Sequence, residues 1–337
     1  MIDPLIALLS GIGIILIILF LLWGKKGFPR RKKLSKSEKH RVLIEDALKH
    51  LYHSESDGLS CTLNSIAGSL SVSTDEAARI VAGMESRELV TLHNDEIQIT
   101  DEGRLYALRI IRVHRLWERY LADETGIGEE EWHIDAEEVE HYLSPEQADS
   151  LAAQIGNPVI DPHGDPIPTA EGTIPDKRGR ELNSLKAGEF AVIVHIEDEP
   201  NAIYSQLVAE GLYPGKQVQM LEIDKERIRF LANGEEVVLA PLFAKNISVS
   251  PIKDKVPIKE KLKSLSSLSA GEKGTVLTIS KRCRGQQRRR LMDLGVVPGT
   301  EIEVEMKSIG GDPIAYRIRG TSIALRKDQA DKIFLMN

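Results

Sequence analysis

The sequence predicts a multidomain chain: an N-terminal transmembrane helix, a winged helix (α+β), an all-α domain and two small β-barrels. Three observations predict it. From Leu5 to Trp23 there are 19 residues without a charge, enough to cross a hydrocarbon core at helical rise. Residues 38–103 carry helix-periodic apolar runs that end in an alternating hairpin. The C-terminal half repeats itself: Leu182–Glu189 is echoed by Leu265–Glu272, and Glu210–Gly215 by Leu294–Gly299.

Composition bounds the rest. The 337 residues are 42% hydrophobic and 28% charged, an ordinary mixture for folded protein. The formal net charge of -7 argues against a general polyanion binder, and two cysteines, Cys61 and Cys283, exclude a disulfide framework or a Cys-rich zinc site.

Residues 1–24 read as the membrane span and 25–37 as a basic juxtamembrane linker. Lys25, Lys26, Arg30, Arg31, Lys32, Lys33 and Lys36 follow the apolar run, so the positive-inside rule places everything after it in the cytoplasm. The expectation is a single-pass protein of the cytoplasmic membrane, held there by residues 5–23.

Residues 38–103 read as the winged helix. Helices are expected at Val42–Tyr52, Leu63–Leu70 and Asp75–Arg87, where Ala77, Ile80, Val81 and Met84 keep helical spacing. Leu89–Leu92 and Ile97–Thr100 alternate around a polar turn and supply the wing.

Residues 104–175 read as the all-α domain. A long helix from Arg104 to about Asp123 ends at Gly126 and Gly128. Asp135, three residues before Glu138, has the capping-box spacing that would open the next helix, running through Glu137–Tyr142. Ser144-Pro145-Glu146 starts another, and residues 156–175 form a Pro- and Gly-rich loop. Residues 181–252 and 264–337 are the two barrels, joined by the charged stretch Lys253–Lys263.

One constellation carries chemistry. Glu137, Glu140 and His141 stand at i, i+3 and i+4, one face of a helix. Two carboxylates and an imidazole suit Fe(II) or Mn(II) better than thiolate-seeking ions. His133 lies four residues before Glu137, and His114 with Glu118 forms a second i, i+4 pair that could complete a site between two helices. A solvated acidic surface is the competing reading of any one of these groups.

From Arg41 to Pro168 the chain resembles the DtxR/MntR family of iron- and manganese-dependent repressors. The matching stretches are Ile44–Tyr52, Val113–Leu121, His133–His141 and Asn157–Pro168. The resemblance implies a winged helix followed by a metal-binding and dimerisation domain, and a homodimer whose metal favours DNA binding. It implies that Asp46 joins Glu137, Glu140 and His141 as a ligand, with His114, Glu118 and His133 where the family places additional ligands. Glu137 stands where iron-type members carry cysteine. Lys49 replaces a carboxylate of manganese-type members, and would repel a second cation. The metal stays open between iron and manganese.

The barrels are similar to FeoA domains, which are SH3-like; Arg289–Gly299 is the clearer match. Stand-alone FeoA proteins accompany a ferrous-iron transporter, so two functions compete. One is a metal-sensing transcriptional regulator, with Ser73, Thr74 and Arg79 as candidate DNA contacts. The other is a metal-responsive accessory of that transporter which binds no DNA. Between Glu38 and Arg104 there are six Lys/Arg and thirteen Asp/Glu, a poor start for neutralising phosphates. The basic cluster Lys281, Arg282, Arg284 and Arg288–Arg290 is a candidate contact for phosphate, lipid or an acidic protein. No Ser/His/Asp, Cys/His or phosphate-loop pattern points to an enzyme.

Overall fold

A computed structural model describes residues 35–93, 96–175, 179–232, 234–252, 263–280 and 282–336. Helix α1 (Lys36–Ser56) opens on a capping box in which the Ser35 hydroxyl accepts from the Glu38 amide and Glu38 accepts from the Ser35 amide. Helices α2 (Leu63–Ser69) and α3 (Thr74–Glu85) follow, capped by Thr62 and Ser73. Strands β1 (Val90–His93) and β2 (Glu96–Ile99) pair antiparallel as a hairpin. Ile44, Leu48, Leu51, Ile66, Ile80, Met84, Val90 and Ile97 close over one core, so the three helices and hairpin form a winged helix.

Helix α4 (Asp101–Glu124) runs from the hairpin into a second helical layer with α5 (Glu129–Val139) and α6 (Pro145–Gln154). Its apolar face serves three cores: Ala107 packs in the winged helix, Val113 and Leu116 meet Ala148 and Leu151 of α6, and Leu121 and Ala122 meet Trp132 of α5.

Two antiparallel sheets make up the C-terminal half. The first contains β3 (Arg180–Glu181), β4 (Phe190–Ile196), β5 (Gln217–Ile223), β6 (Ile228–Ala232), β7 (Glu235–Leu239) and β8 (Ile247–Pro251), with α7 (Asn201–Ala209) after β4 and α8 (Pro241–Ala244) before β8. The second contains β9 (Lys273–Ile279), β10 (Glu301–Lys307), β11 (Ile314–Ile318), β12 (Thr321–Leu325) and β13 (Ile333–Leu335), with α9 (Gly285–Asp293) and α10 (Lys327–Ala330) in the same places. Strand orders are β3-β8-β4-β5-β6-β7 and β13-β9-β10-β11-β12, so the internal repeat extends to topology, β3 apart. Leu182 and Leu185 of one repeat and Leu265 and Leu268 of the other are buried, each pair sealing its own core.

Both sheets dock on the helical layer. The Ile196 amide donates to the His163 carbonyl at 3.0 Å, which ties the end of β4 to the loop after α6. At the end of α4, Arg289 donates to the Asp123 carbonyl at 3.0 Å and to Glu124 at 2.5 Å. Arg282 stands 3.8 Å from Glu129. Placing Arg289 beside the C-terminus of α4 is electrostatically favourable, whereas Arg282 meets the first carboxylate of α5. Arg282 and Arg289 of the basic cluster therefore face the protein itself; Lys281 lies outside the described residues.

The transmembrane part of the expected fold class is corrected. No helix among the described residues is long and apolar enough to cross a membrane. The two with sufficient length, α1 and α4, carry charged residues along their whole course. The expected span at residues 5–23, and with it the membrane contact, falls on residues outside those described, and the expected location at the cytoplasmic membrane rests on the same stretch. The described architecture is mixed α/β, helical at first and β-rich toward the C-terminus. The expected linker 253–263 lies almost wholly outside the described residues.

A second correction concerns α5. It begins at Glu129, after Gly128, and Asp135 lies inside it. Glu129, Glu130 and Glu131 in the first turn favour the positive end of the helix, which outweighs the capping-box spacing further on. Asp135 instead accepts from the Trp117 indole at 3.3 Å. The helix is therefore spent at Val139, and Glu140 and His141 leave it at its C-terminus.

Candidate metal centre

That early end separates residues whose spacing suggested one face. Glu140 and His141 turn toward α1, where ligand atoms of Asp46, Glu140 and His141 all lie within 4.8 Å of one another. His141 Nε2 is 3.3 Å from Asp46 Oδ1 and 3.6 Å from Glu140 Oε1. Glu137 points elsewhere, grouping with His133 and Glu199.

A supporting shell orients the first centre. His141 Nδ1 donates to Glu45 Oε2 at 2.7 Å, which leaves Nε2 aimed at Asp46 and Glu140. The buried Glu45 also accepts from Arg41 at 2.8 Å and from the Tyr106 hydroxyl at 2.6 Å. A carboxylate behind an imidazole fixes its tautomer and strengthens its free nitrogen as a ligand. Burial pushes the Glu45 carboxyl up, but the His141 and Tyr106 hydrogen bonds and the Arg41 charge more than reverse this. Burial likewise lowers His141, yet Asp46 and Glu45 hold it up at about 9.

Glu118, only 1% exposed, organises a second centre. Its Oε1 lies 3.1 Å from His114 Nε2, 3.5 Å from His133 Nδ1 and 3.7 Å from His163 Nε2. Asp198 and Glu199, just past β4, come from the first sheet domain: His133 is 3.2 Å from each. Three overlapping groups result, namely His114/Glu118/His133, Glu118/His163/Asp198 and His133/Glu137/Glu199.

His114 joins the two centres. Its Nδ1 is 2.6 Å from Glu140 Oε2 and its Nε2 faces Glu118. Burial opposes its charge, but Glu118 and Glu140 hold the imidazole at about 9. Glu118 is held down at about 2, against the effect of its burial, chiefly by His114 and His133.

The donor set fits a divalent ion. His133 Nδ1 and His163 Nε2 are buried and make no hydrogen bond, although carboxylates stand within 4 Å of both. Ring nitrogens turned toward carboxylates without bonding them are arranged as ligands would be. Every candidate donor is nitrogen or oxygen, while Cys61 and Cys283 are buried and belong to other cores. Such a set suits iron(II) or manganese(II).

The loop at 161–165 holds His163 in place. Asp161 Oδ1 accepts from the amides of His163, Gly164 and Asp165 at 2.8–2.9 Å. Gly164 has φ +101, and a Cβ there would meet the Val194 carbonyl oxygen at 2.0 Å, so only glycine lets the loop lie against β4. His195 Nε2 closes the joint on Asp165 at 3.0 Å.

Sequence reasoning singled out Asp46, His114, Glu118, His133, Glu137, Glu140 and His141, and the structure sorts these among the groups above. It missed Glu45, His163, Asp198 and Glu199 as individual residues. Glu45 and His163 fall within stretches that carry the family resemblance; Asp198 and Glu199 lie in an acidic run that carries no spacing signal. Of the candidate DNA contacts, Ser73 caps α3 by accepting from the Glu76 amide, and Arg79 donates to the Asp75 carbonyl. Thr74 is exposed at the first position of α3.

Comparison with known proteins bears on these centres. Residues 100–169 match the family model for the iron dependent repressor, metal binding and dimerisation domain, and residues 180–251 and 263–337 match the FeoA domain. The chain is 34% identical over 219 residues to the diphtheria toxin repressor of Corynebacterium efficiens, covering 61% of this chain and 94% of that protein. It is 28% identical over 208 residues to the iron-dependent repressor IdeR of Mycobacterium bovis, covering 58% and 90%. Among solved structures, a manganese-dependent transcriptional repressor in complex with manganese matches with a TM-score of 0.57 and 27% identity, over 62% of this chain and all of that one. These relatives are named as regulators, not enzymes. Being 34% identical across 94% of one such repressor, this chain belongs to the diphtheria toxin repressor family.

Proposed function

We propose that this protein is a metal-sensing transcriptional regulator that acts as a homodimer and responds to iron(II) or manganese(II). One observation carries the reading: Asp46 lies on the first helix of the winged helix, whereas Glu140 and His141 belong to the helical layer. A cation shared by the three would fix the orientation of one unit against the other. Binding energy spent on that arrangement favours whatever partner the arrangement can grip, which is thermodynamic linkage. Metal at the Glu118 centre would do the same for the first sheet domain through Asp198 and Glu199.

Glu45, Arg41 and Tyr106 orient His141 in this scheme, and Asp161 orients His163. The metal itself supplies a multivalent charge that collects carboxylates which otherwise repel. The acidic surface of the winged helix favours a second reading, an accessory of a ferrous-iron transporter that works through its FeoA domains. Genome-wide DNA capture with and without manganese separates the two. Discrete, metal-dependent sites support the regulator; recovery of a transporter without DNA supports the accessory.

A further inference from the structure

Lys49 is the feature of the first centre that a cation site does not call for. It stands three residues after Asp46 on α1, so helical spacing brings both side chains to the same face. Its Nζ lies 2.7 Å from Glu140 Oε1 and 2.9 Å from Oε2. Glu140 is 1% exposed, and its carboxylate also bonds His114. The ammonium thus straddles both oxygens of a carboxylate grouped with Asp46 and His141 for a divalent ion.

We propose that Lys49 is a built-in competitor for metal, a tethered cation that holds Glu140 until a divalent ion displaces it. The inference rests on the metal reading above and adds a rule to it. Helix α1 offers the centre a ligand and a rival at once. Two cations on one buried carboxylate repel strongly where little water screens them. An ion at this centre must therefore expel the Lys49 arm, whose four-carbon stem can carry its charge outward to solvent. The metal concentration needed to fill the centre is raised accordingly. A second ion on the Lys49 side of Glu140 is excluded for as long as the ammonium remains there. The winged helix is also latched to the helical layer before metal arrives, so metal replaces one cross-link with a stronger one.

The test is manganese(II) titration of the full chain, by calorimetry and by the loss of free-ion paramagnetic resonance signal. The first centre is identified as the binding lost in His141→Ala. Lys49→Met and Lys49→Gln should each tighten that binding by at least about tenfold, or about 1.4 kcal/mol. Lys49→Arg keeps the charge and should not tighten it. Lys49→Gln retains a hydrogen-bond donor, which guards against loss of folding when Glu140 is left with His114 alone. Affinities within twofold of the parent, or weaker, in both neutral variants overturn the proposal while leaving the metal reading intact. No manganese binding in any variant overturns both.

Discussion

Replacing Gly164 with alanine probes the joint between the helical layer and the first sheet domain. The residue has φ +101, a region that side chains other than glycine avoid at a cost of about 1–3 kcal/mol. The added Cβ would stand 2.0 Å from the Val194 carbonyl oxygen and 2.8 Å from His195 Cα. Both are backbone atoms of β4, so no side-chain rotation relieves the contact, and loop and strand must part. Parting them loses the bond from the Ile196 amide to the His163 carbonyl, a further contribution of about 1 kcal/mol. The combined destabilisation is about 2–4 kcal/mol. Because His163 precedes Gly164 and Asp198 follows β4, the same movement pulls two groups away from Glu118. Urea unfolding followed by manganese titration reads both effects. The joint should open at lower urea, and binding at the Glu118 centre should weaken at least tenfold. An unchanged midpoint together with affinity within twofold of the parent would refute the argument that this close approach positions the centre.

Further outcomes are open to measurement. Glu118→Gln removes the carboxylate shared by His114, His133 and His163. It should abolish most binding at the second centre while Asp46, Glu140 and His141 still take up metal; calorimetry resolving both losses together would contradict that division. Gly285→Val should release the second FeoA domain from α4, since even a Cβ there would meet the Thr125 carbonyl oxygen at 2.3 Å. Limited proteolysis should then cut between the FeoA domains faster, and equal rates would count against the docking. The pH response follows from His114 and His141, whose folded values of about 9 exceed the ordinary imidazole value. Their contribution to the metal-free protein is complete below about pH 6.5 and lost as pH rises through 9. Metal competes with those protons, so apparent affinity should climb over the same interval, with proton release detectable by calorimetry in two buffers. Affinity independent of pH from 6.5 to 9 would show that neither imidazole is a ligand.

Local pattern carried much of the architecture. Helical periodicity in residues 42–87 and the alternation around the wing depend on neighbours within a few positions, and so does the repeat whose paired leucines seal two cores. The carboxylate and imidazole pairs at His114/Glu118 and Glu140/His141 are local signals too. Tertiary structure decided how they are used. Acidic residues after Gly128 start α5 early, so Glu137 parts from Glu140 and His141, which no i, i+3, i+4 count reveals. His163, Asp198 and Glu199 meet Glu118 and His133 only because a glycine lets one loop lie against a distant strand. Lys49 reads in sequence as a substitution that disfavours a second cation; its place across both oxygens of Glu140 depends on α1 packing beside the end of α5. Ligands brought together by chain closure leave no period behind, because their spacing is set by the packing of whole elements.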